Sequence, residues 1–342
     1  MKIIAIEEHF RTEAFLDYLR SRKDYPRIEV VEDENHNKAE RLFNSPTNQQ
    51  VLDSDVGRKM LDLGESRLKE MEQNGIDMQV LCLASGLEPF DAQEATALSK
   101  KINDEVSRIT KKYPDKFAGY ASLAPQDPAA AAKELERSVK ELGLIGAKIN
   151  THVKGEYLDD AKYWVIFEMA EKLDVPIYIH PRAPSIDIMK PFLAYPVLAG
   201  SIWGYGVDCS LNAMRMICSG VFDKYPALKI ILGHLGEGLP FWLWRIDNRW
   251  SREKVDSNPL ARKLIKKPGQ YFKDNFYVTM SGVLSNPSLL CAYQVLGAEK
   301  IMFAVDYPHE PNKEAVEFIK QIPVCDSDKE KICHLNAEKL LK

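Results

Sequence analysis

The sequence predicts an α/β chain folded as a (β/α)8 TIM barrel. Short apolar runs recur along its 342 residues, each bounded by polar residues, as buried parallel strands are. Amphipathic helical segments alternate with them, which implies parallel crossovers. Eight such strands can be counted, and ionisable residues gather at their C-terminal ends, where a barrel carries its active site. A doubly wound open sheet would need a glycine-rich phosphate turn after an early strand. Glu7-Glu8-His9-Phe10 occupies that place instead.

The first strand is the run 2–7, Lys-Ile-Ile-Ala-Ile-Glu, which leads into Glu8 and His9. Side chains alternate along a strand, so Glu7 and His9 share one face and Glu8 takes the other. Residues 11–56 are polar and hold the turn signals Tyr25-Pro26, Asn35-His36-Asn37 and Ser45-Pro46-Thr47-Asn48. They read as an irregular loop insertion after the first strand, long enough to be a lid or binding loop. Residues 64–75 read as a helix closed by a C-cap glycine. Strands follow at 78–83, 117–122, 145–150, 175–180, 228–234, 276–281 and 301–306. The helices between and after them are expected at 91–112, 128–142, 159–173, 207–219, 238–249, 287–296, 313–321 and 328–341. Residues 1–342 are expected to form one barrel domain.

Composition bounds the function. A chain that is 45% hydrophobic and 28% charged can bury a sizeable core. Its net charge of -4 carries no basic excess, so nucleic acid is not an expected partner. Cys82, Cys209, Cys218, Cys291, Cys325 and Cys333 lack CxxC spacing and read as reduced thiols of a cytoplasmic protein. No secretory h-region follows Met1, and no membrane span or membrane partner is expected.

The chemistry collects at four strand ends. The first ends in Glu7-Glu8-His9, the fifth in His180-Pro181-Arg182, the sixth in Gly233-His234-Leu235-Gly236-Glu237 and the eighth in Asp306-Tyr307-Pro308. A carboxylate and an imidazole on one strand face are the start of a metal site. The plain alternative is two polar residues at a strand end. Taken singly, His180 could be bonded to backbone, His234 could cap a helix start, and Asp306 could be an N-cap. Three of the seven histidines plus an aspartate at strand mouths carry the inference together. His152 reads as a loop residue within reach of the mouth, and His36, His309 and His334 as solvent or structural histidines. Lys148 could be a carboxylated lysine bridging two metals, but the extra histidines of a second metal are not evident. A snorkelling or salt-bridged lysine is expected there. Trp242, Trp244 and Trp250 read as helix packing beside Arg245 and Asp247.

Through these residues the chain resembles the amidohydrolase superfamily, in the branch of metal-dependent aromatic decarboxylases acting on γ-resorcylate, 5-carboxyvanillate or 2,3-dihydroxybenzoate. The resemblance runs nearly end to end. It rests on Glu7-Glu8-His9-Phe10, Val-Pro-Ile-Tyr-Ile-His-Pro-Arg around His180, and Ile-Ile-Leu-Gly-His-Leu-Gly-Glu-Gly-Leu-Pro through Pro240. Trp244-Arg245-Ile246-Asp247 and Phe303-Ala-Val-Asp-Tyr-Pro308 complete it. The resemblance implies a metal-dependent-hydrolase-like barrel with the metal on Glu7, His9, His180 and Asp306. It also implies that His234 and Glu237 work on the substrate and that Asp306 is the acid. Many hydrolytic relatives carry His-x-His on the first strand, where this chain has Glu7. Segments 11–56 and 184–205 match least and would read substrate identity. A homodimer or homotetramer is implied, and the apolar segment 186–203 is compatible with it.

Two carboxylates and two neutral imidazoles balance one divalent ion, and their N and O donors suit Zn²⁺ or Mn²⁺. An anionic Glu in place of a neutral His weakens the acidification of bound water, a mild argument against hydrolysis. Such a site still suits an ortho-hydroxybenzoate bound through carboxylate and phenolate. The expectation is therefore a carboxy-lyase that decarboxylates a hydroxylated aromatic acid without oxidation. Arg182 or Arg245 would position the anion or form an oligomer contact. Two alternatives stay open: a hydrolase of the same superfamily acting on a lactone or amide, with Asp306 as base, and a non-catalytic barrel that binds an aromatic acid.

Overall fold

A computed structural model describes residues 1–32, 36, 38–45, 48–252 and 264–341; the turn signals at Asn35, Asn37, Pro46 and Thr47 fall outside them. Its centre is a closed ring of eight parallel strands. These are β1 (Ile4–Phe10), β2 (Met78–Leu83), β3 (Phe117–Gly119, resumed as Ala121–Ser122) and β4 (Ala147–Asn150). The ring continues through β5 (Ile177–His180), β6 (Ile230–Leu232), β7 (Phe276–Thr279) and β8 (Ile301–Met302). Successive strands pair in parallel from β1 to β8. Ile4, Ile6, Val80, Tyr178 and Ile231 fill the interior, and Ala337 and Leu340 of the helix Asn336–Leu340 seal its floor.

The last seam has a single bridge in place of a regular ladder, and side chains reinforce its backbone bonds. Beside one bridge, Glu8 to Tyr307, its backbone links are the Ile6 N–H on the Phe303 carbonyl (3.2 Å), the Asp306 N–H on the Glu7 carbonyl (3.2 Å) and the His9 N–H on the Tyr307 carbonyl (2.6 Å). The buried Glu8 carboxylate accepts the N–H groups of Val305 (2.9 Å) and Tyr307 (3.2 Å). Arg67, also buried, donates to the His9 carbonyl (2.8 Å) and to Gln79 (2.7 Å), and its guanidinium lies 4.6 Å from the Tyr307 ring centre. This seam shortens β8 below the expected 301–306, because Phe303 turns its N–H onto the Ile332 carbonyl (2.8 Å). The expected helix 328–341 opens into a π turn over Lys331–Leu335, which frees that carbonyl.

The outer helices follow their sequence signals. Ala92–Lys112 starts on a capping box between Asp91 and Glu94, and Pro128–Lys140 starts on Asp127. Residues 11–56, by contrast, are not irregular. Thr12 caps a helix over Glu13–Arg20, and Arg27–Glu32, Lys38–Ser45 and Asn48–Val51 form an antiparallel sheet ahead of a helix at Asp55–Leu61. Within the two longer strands only Ile28 and Leu42 enter the core, so the sequence shows no clean alternation there.

Among the described residues no helix is long and apolar enough to cross a membrane, and the six cysteines are unpaired.

Candidate functional site

The site begins with one extra residue in β1. Ile4 and Ile6 point into the barrel, so strict alternation would send Glu8 inward and Glu7 and His9 outward. The register prevents this: β1 advances from Ala5 to Glu8 while β2 advances only from Gln79 to Leu81. That bulge re-aims everything after it. Glu7 and His9 reach the interior, and Glu8 turns out to the β8 seam.

Glu7, His9 and His180 each offer one ligand atom, all within 4.8 Å of one another. Asp306 Oδ1 stands 2.8 Å from His9 Nε2, and His180 Nε2 stands 3.4 Å from Glu7 Oε1. The fourth predicted ligand therefore joins the group through His9. The donor set fits a divalent cation on one telling detail. Glu7 Oε2 is saturated by the hydroxyls of Thr279 (3.1 Å) and Ser281, yet Glu7 Oε1 is fully buried without a hydrogen-bond partner. A buried orphan carboxylate oxygen is costly unless something positive sits on it. His180 Nδ1 donates to the Pro181 carbonyl (2.8 Å), which leaves the Nε2 lone pair facing that oxygen.

His234 and Glu237 lie on the loop after β6. His234, Leu235, Gly236, Glu237 and Gly238 all have positive φ, from 50° to 78°. This left-handed turn costs about 1–2 kcal/mol at each non-glycine residue, and such strain concentrates at functional sites. It rules out a helix cap at His234 and folds Glu237 Oε1 back to 2.8 Å from His234 Nδ1. His234 Nε2 then faces Asp306 Oδ2 at 3.9 Å. Asp306 also has positive φ (76°), and no helix N-cap is formed there.

The charges are coupled. Burial pushes the His180 imidazole down to about 4, so it is neutral at pH 7. Burial presses His9 and His234 the same way, but their partners outweigh it. Cys82 and Asp306 raise His9, while Glu237 and Asp306 raise His234. Burial would raise the Glu7 carboxyl, but its histidine neighbours, with the charge of His234 among them, hold it at about 2. For Asp306, too, burial loses to His234 and His9, which keep it well below the usual carboxylate range. In the free protein a proton on His9 thus stands where a cation would bind.

Comparisons with known proteins place the chain in a family. The sequence profile described as amidohydrolase matches residues 62–342. The chain belongs to the amidohydrolase family. It is 38% identical to the γ-resorcylate decarboxylase of Polaromonas sp. (strain JS666 / ATCC BAA-500), over 83% of this chain and 89% of that one. The crystal structure of a 5-carboxyvanillate decarboxylase from Sphingomonas paucimobilis superposes with a TM-score of 0.88 at 37% identity, over 99% and 98% of the two chains. A 5-carboxyvanillate decarboxylase from Novosphingobium aromaticivorans, solved with manganese and 4-hydroxy-3-methoxy-5-nitrobenzoic acid, matches with a TM-score of 0.88 at 34% identity, over 99% and 96%.

The other expected residues of this amidohydrolase divide. Arg182 is half-buried at the β5 end and donates to the His152 carbonyl at 3.3 Å. Arg245 is exposed on the helix Leu239–Trp250. Phe241, Trp242 and Trp244 on the same helix are 72%, 50% and 77% exposed, so this aromatic group is a surface and not internal packing. His152 is a loop residue: its Nδ1 accepts the Gly155 N–H, and its Nε2 donates to the Ala183 carbonyl (3.0 Å). Lys148 neither snorkels nor pairs; it is buried, and its Nζ has no hydrogen-bond partner among the described residues. His309, read as a solvent or structural histidine, is exposed and packs edge-on against His9 at 5.6 Å between ring centres. Thr279, Ser281 and Cys82 support the ligands without any sequence signal, because single hydroxyls and thiols on strands carry no spacing pattern.

Proposed function

We propose that this chain is a metal-dependent nonoxidative decarboxylase of an ortho-hydroxylated aromatic acid, with Glu7, His9, His180 and Asp306 holding one divalent ion, Mn²⁺ or Zn²⁺. The observation that carries the reading is the orphan Glu7 Oε1, set among two imidazole Nε2 atoms and beside a strained His234–Glu237 pair. The named activities of the relatives support the same chemistry. When bound, the ion would supply positive charge to hold the substrate's carboxylate and phenolate oxygens.

The chain's own residues then do the proton work. Decarboxylation adds a proton to the ring carbon, breaks its bond to the carboxylate and releases CO₂. Asp306 is the acid. It is ionised in the free site, so the proton it delivers comes with the substrate, from the phenol. His234, held charged by Glu237, hydrogen-bonds the substrate oxygen and keeps that proton moving toward Asp306. Arg182 lies at the same mouth as the side chain offered to an anionic ring substituent.

Assembly belongs to the same reading. Leu193, Tyr195, Ile202 and Trp203 are exposed, as are Phe241 and Trp244, and a homodimer or homotetramer would cover them. Six unpaired cysteines suit a reducing, cytoplasmic location.

The test is CO₂ release from a panel of ortho-hydroxybenzoates with Mn²⁺ or Zn²⁺ supplied. Turnover of at least one acid is expected. Hydrolysis of lactones or amides with no CO₂ release would instead assign the hydrolase alternative, and tight acid binding without turnover the binding barrel.

A further inference from the structure

The three site imidazoles differ on their Nδ1 side. His180 Nδ1 meets a backbone carbonyl and His234 Nδ1 a carboxylate, but His9 Nδ1 lies 3.2 Å from Cys82 Sγ. Both partners of this last contact are shut off from solvent, each 1% exposed. They are register partners on β1 and β2, placed opposite each other just beyond the bulge. The contact is thus built into the ladder and does not depend on a mobile side chain.

If His9 Nε2 faces a cation, the ring's one proton must sit on Nδ1. A buried N–H left without an acceptor costs about 1–3 kcal/mol. Cys82 Sγ is the acceptor within reach. We propose that Cys82 is a positioning residue for the metal site: it takes the Nδ1–H of His9, fixes the tautomer with Nε2 free, and orients that ligand. A carboxylate, the commoner partner of a metal-bound histidine, would add another buried anion beside Glu7 and Asp306. Cys82 gives the acceptor with no further carboxylate at the site. The inference rests on the metal reading of Glu7, His9, His180 and Asp306, but concerns a residue outside those four.

The experiment is Mn²⁺ affinity of the full chain, with free ion counted by electron paramagnetic resonance, for the unaltered protein, Cys82→Ser and Cys82→Val. Valine fills the volume without an acceptor, and serine keeps the acceptor. Cys82→Val is expected to bind Mn²⁺ about 10–100-fold more weakly, and Cys82→Ser within about threefold of the unaltered protein. Circular dichroism of the metal-free variants checks that the barrel is intact. Should valine unfold it, Cys82→Ala serves in its place. Unchanged affinity in the valine variant, or a serine variant as weak as valine, overturns the proposal, the second because Sγ would then act through packing alone. If the unaltered protein takes up neither Mn²⁺ nor, by competition or direct metal analysis, Zn²⁺, the metal reading falls and this inference with it.

Discussion

Asp306 must answer to two imidazoles at once, with His9 Nε2 at 2.8 Å from one oxygen and His234 Nε2 at 3.9 Å from the other. Its role as acid is tested by Asp306→Asn, which keeps the shape and one oxygen but cannot cycle a proton. Turnover should fall by about 10²–10⁴-fold while much of the metal stays bound; a near-normal CO₂ release rate would remove Asp306 from the role. The histidines make a second, pH-linked prediction. His9 is raised and carries a proton in the free site, whereas His180, near 4, is already neutral. A cation must displace the His9 proton. Mn²⁺ binding at pH 7 should therefore release about one proton, and affinity should weaken as pH falls. Titration calorimetry in buffers of different ionisation enthalpy reads that proton; a release of zero would contradict the assignment of His9 as ligand.

At the scale of elements, three local irregularities place the site. The β1 bulge turns Glu7 and His9 inward, the left-handed turn after β6 folds Glu237 onto His234, and the β8 turn presents Asp306. None is a product of regular strand geometry. The first and the last of these meet at the β8–β1 seam, and Arg67 bonds and packs beside that seam. Burial raises the Glu8 carboxyl to about 8, so the loss from Arg67→Met is not that of a stranded charge: the His9 carbonyl and Gln79 Oε1 lose their buried donor. The expected loss is about 1–3 kcal/mol of stability, read from denaturant midpoints. A loss under about 1 kcal/mol would show that backbone bonds alone hold the seam.

For the whole molecule, the exposed aromatic face at Phe241, Trp242 and Trp244 is too apolar for a lone surface helix. Sedimentation should find a homodimer or larger, and Trp244→Glu should shift it toward monomer; an unaltered monomer at micromolar concentration would sink the assembly proposal. Strand count and order were legible in the sequence by itself, and so was the gathering of Glu7, His9, His180 and Asp306, the proposed ligands, at strand ends. Buried parallel strands must be continuous apolar runs, and a barrel can use ionisable groups only at their ends. Invisible there were the sheet inside residues 11–56, whose core contact is little more than Ile28 and Leu42, and the exposure of the tryptophan helix, since an apolar helix face reads alike whether covered by its own chain or by another. The pairing of Glu7 and His9 on one face was correct, but the face itself was not decided by alternation. Only the bulge against β2, a relation between segments some seventy residues apart, turned that face inward, because register is set by which neighbour a strand bonds and not by its own side chains.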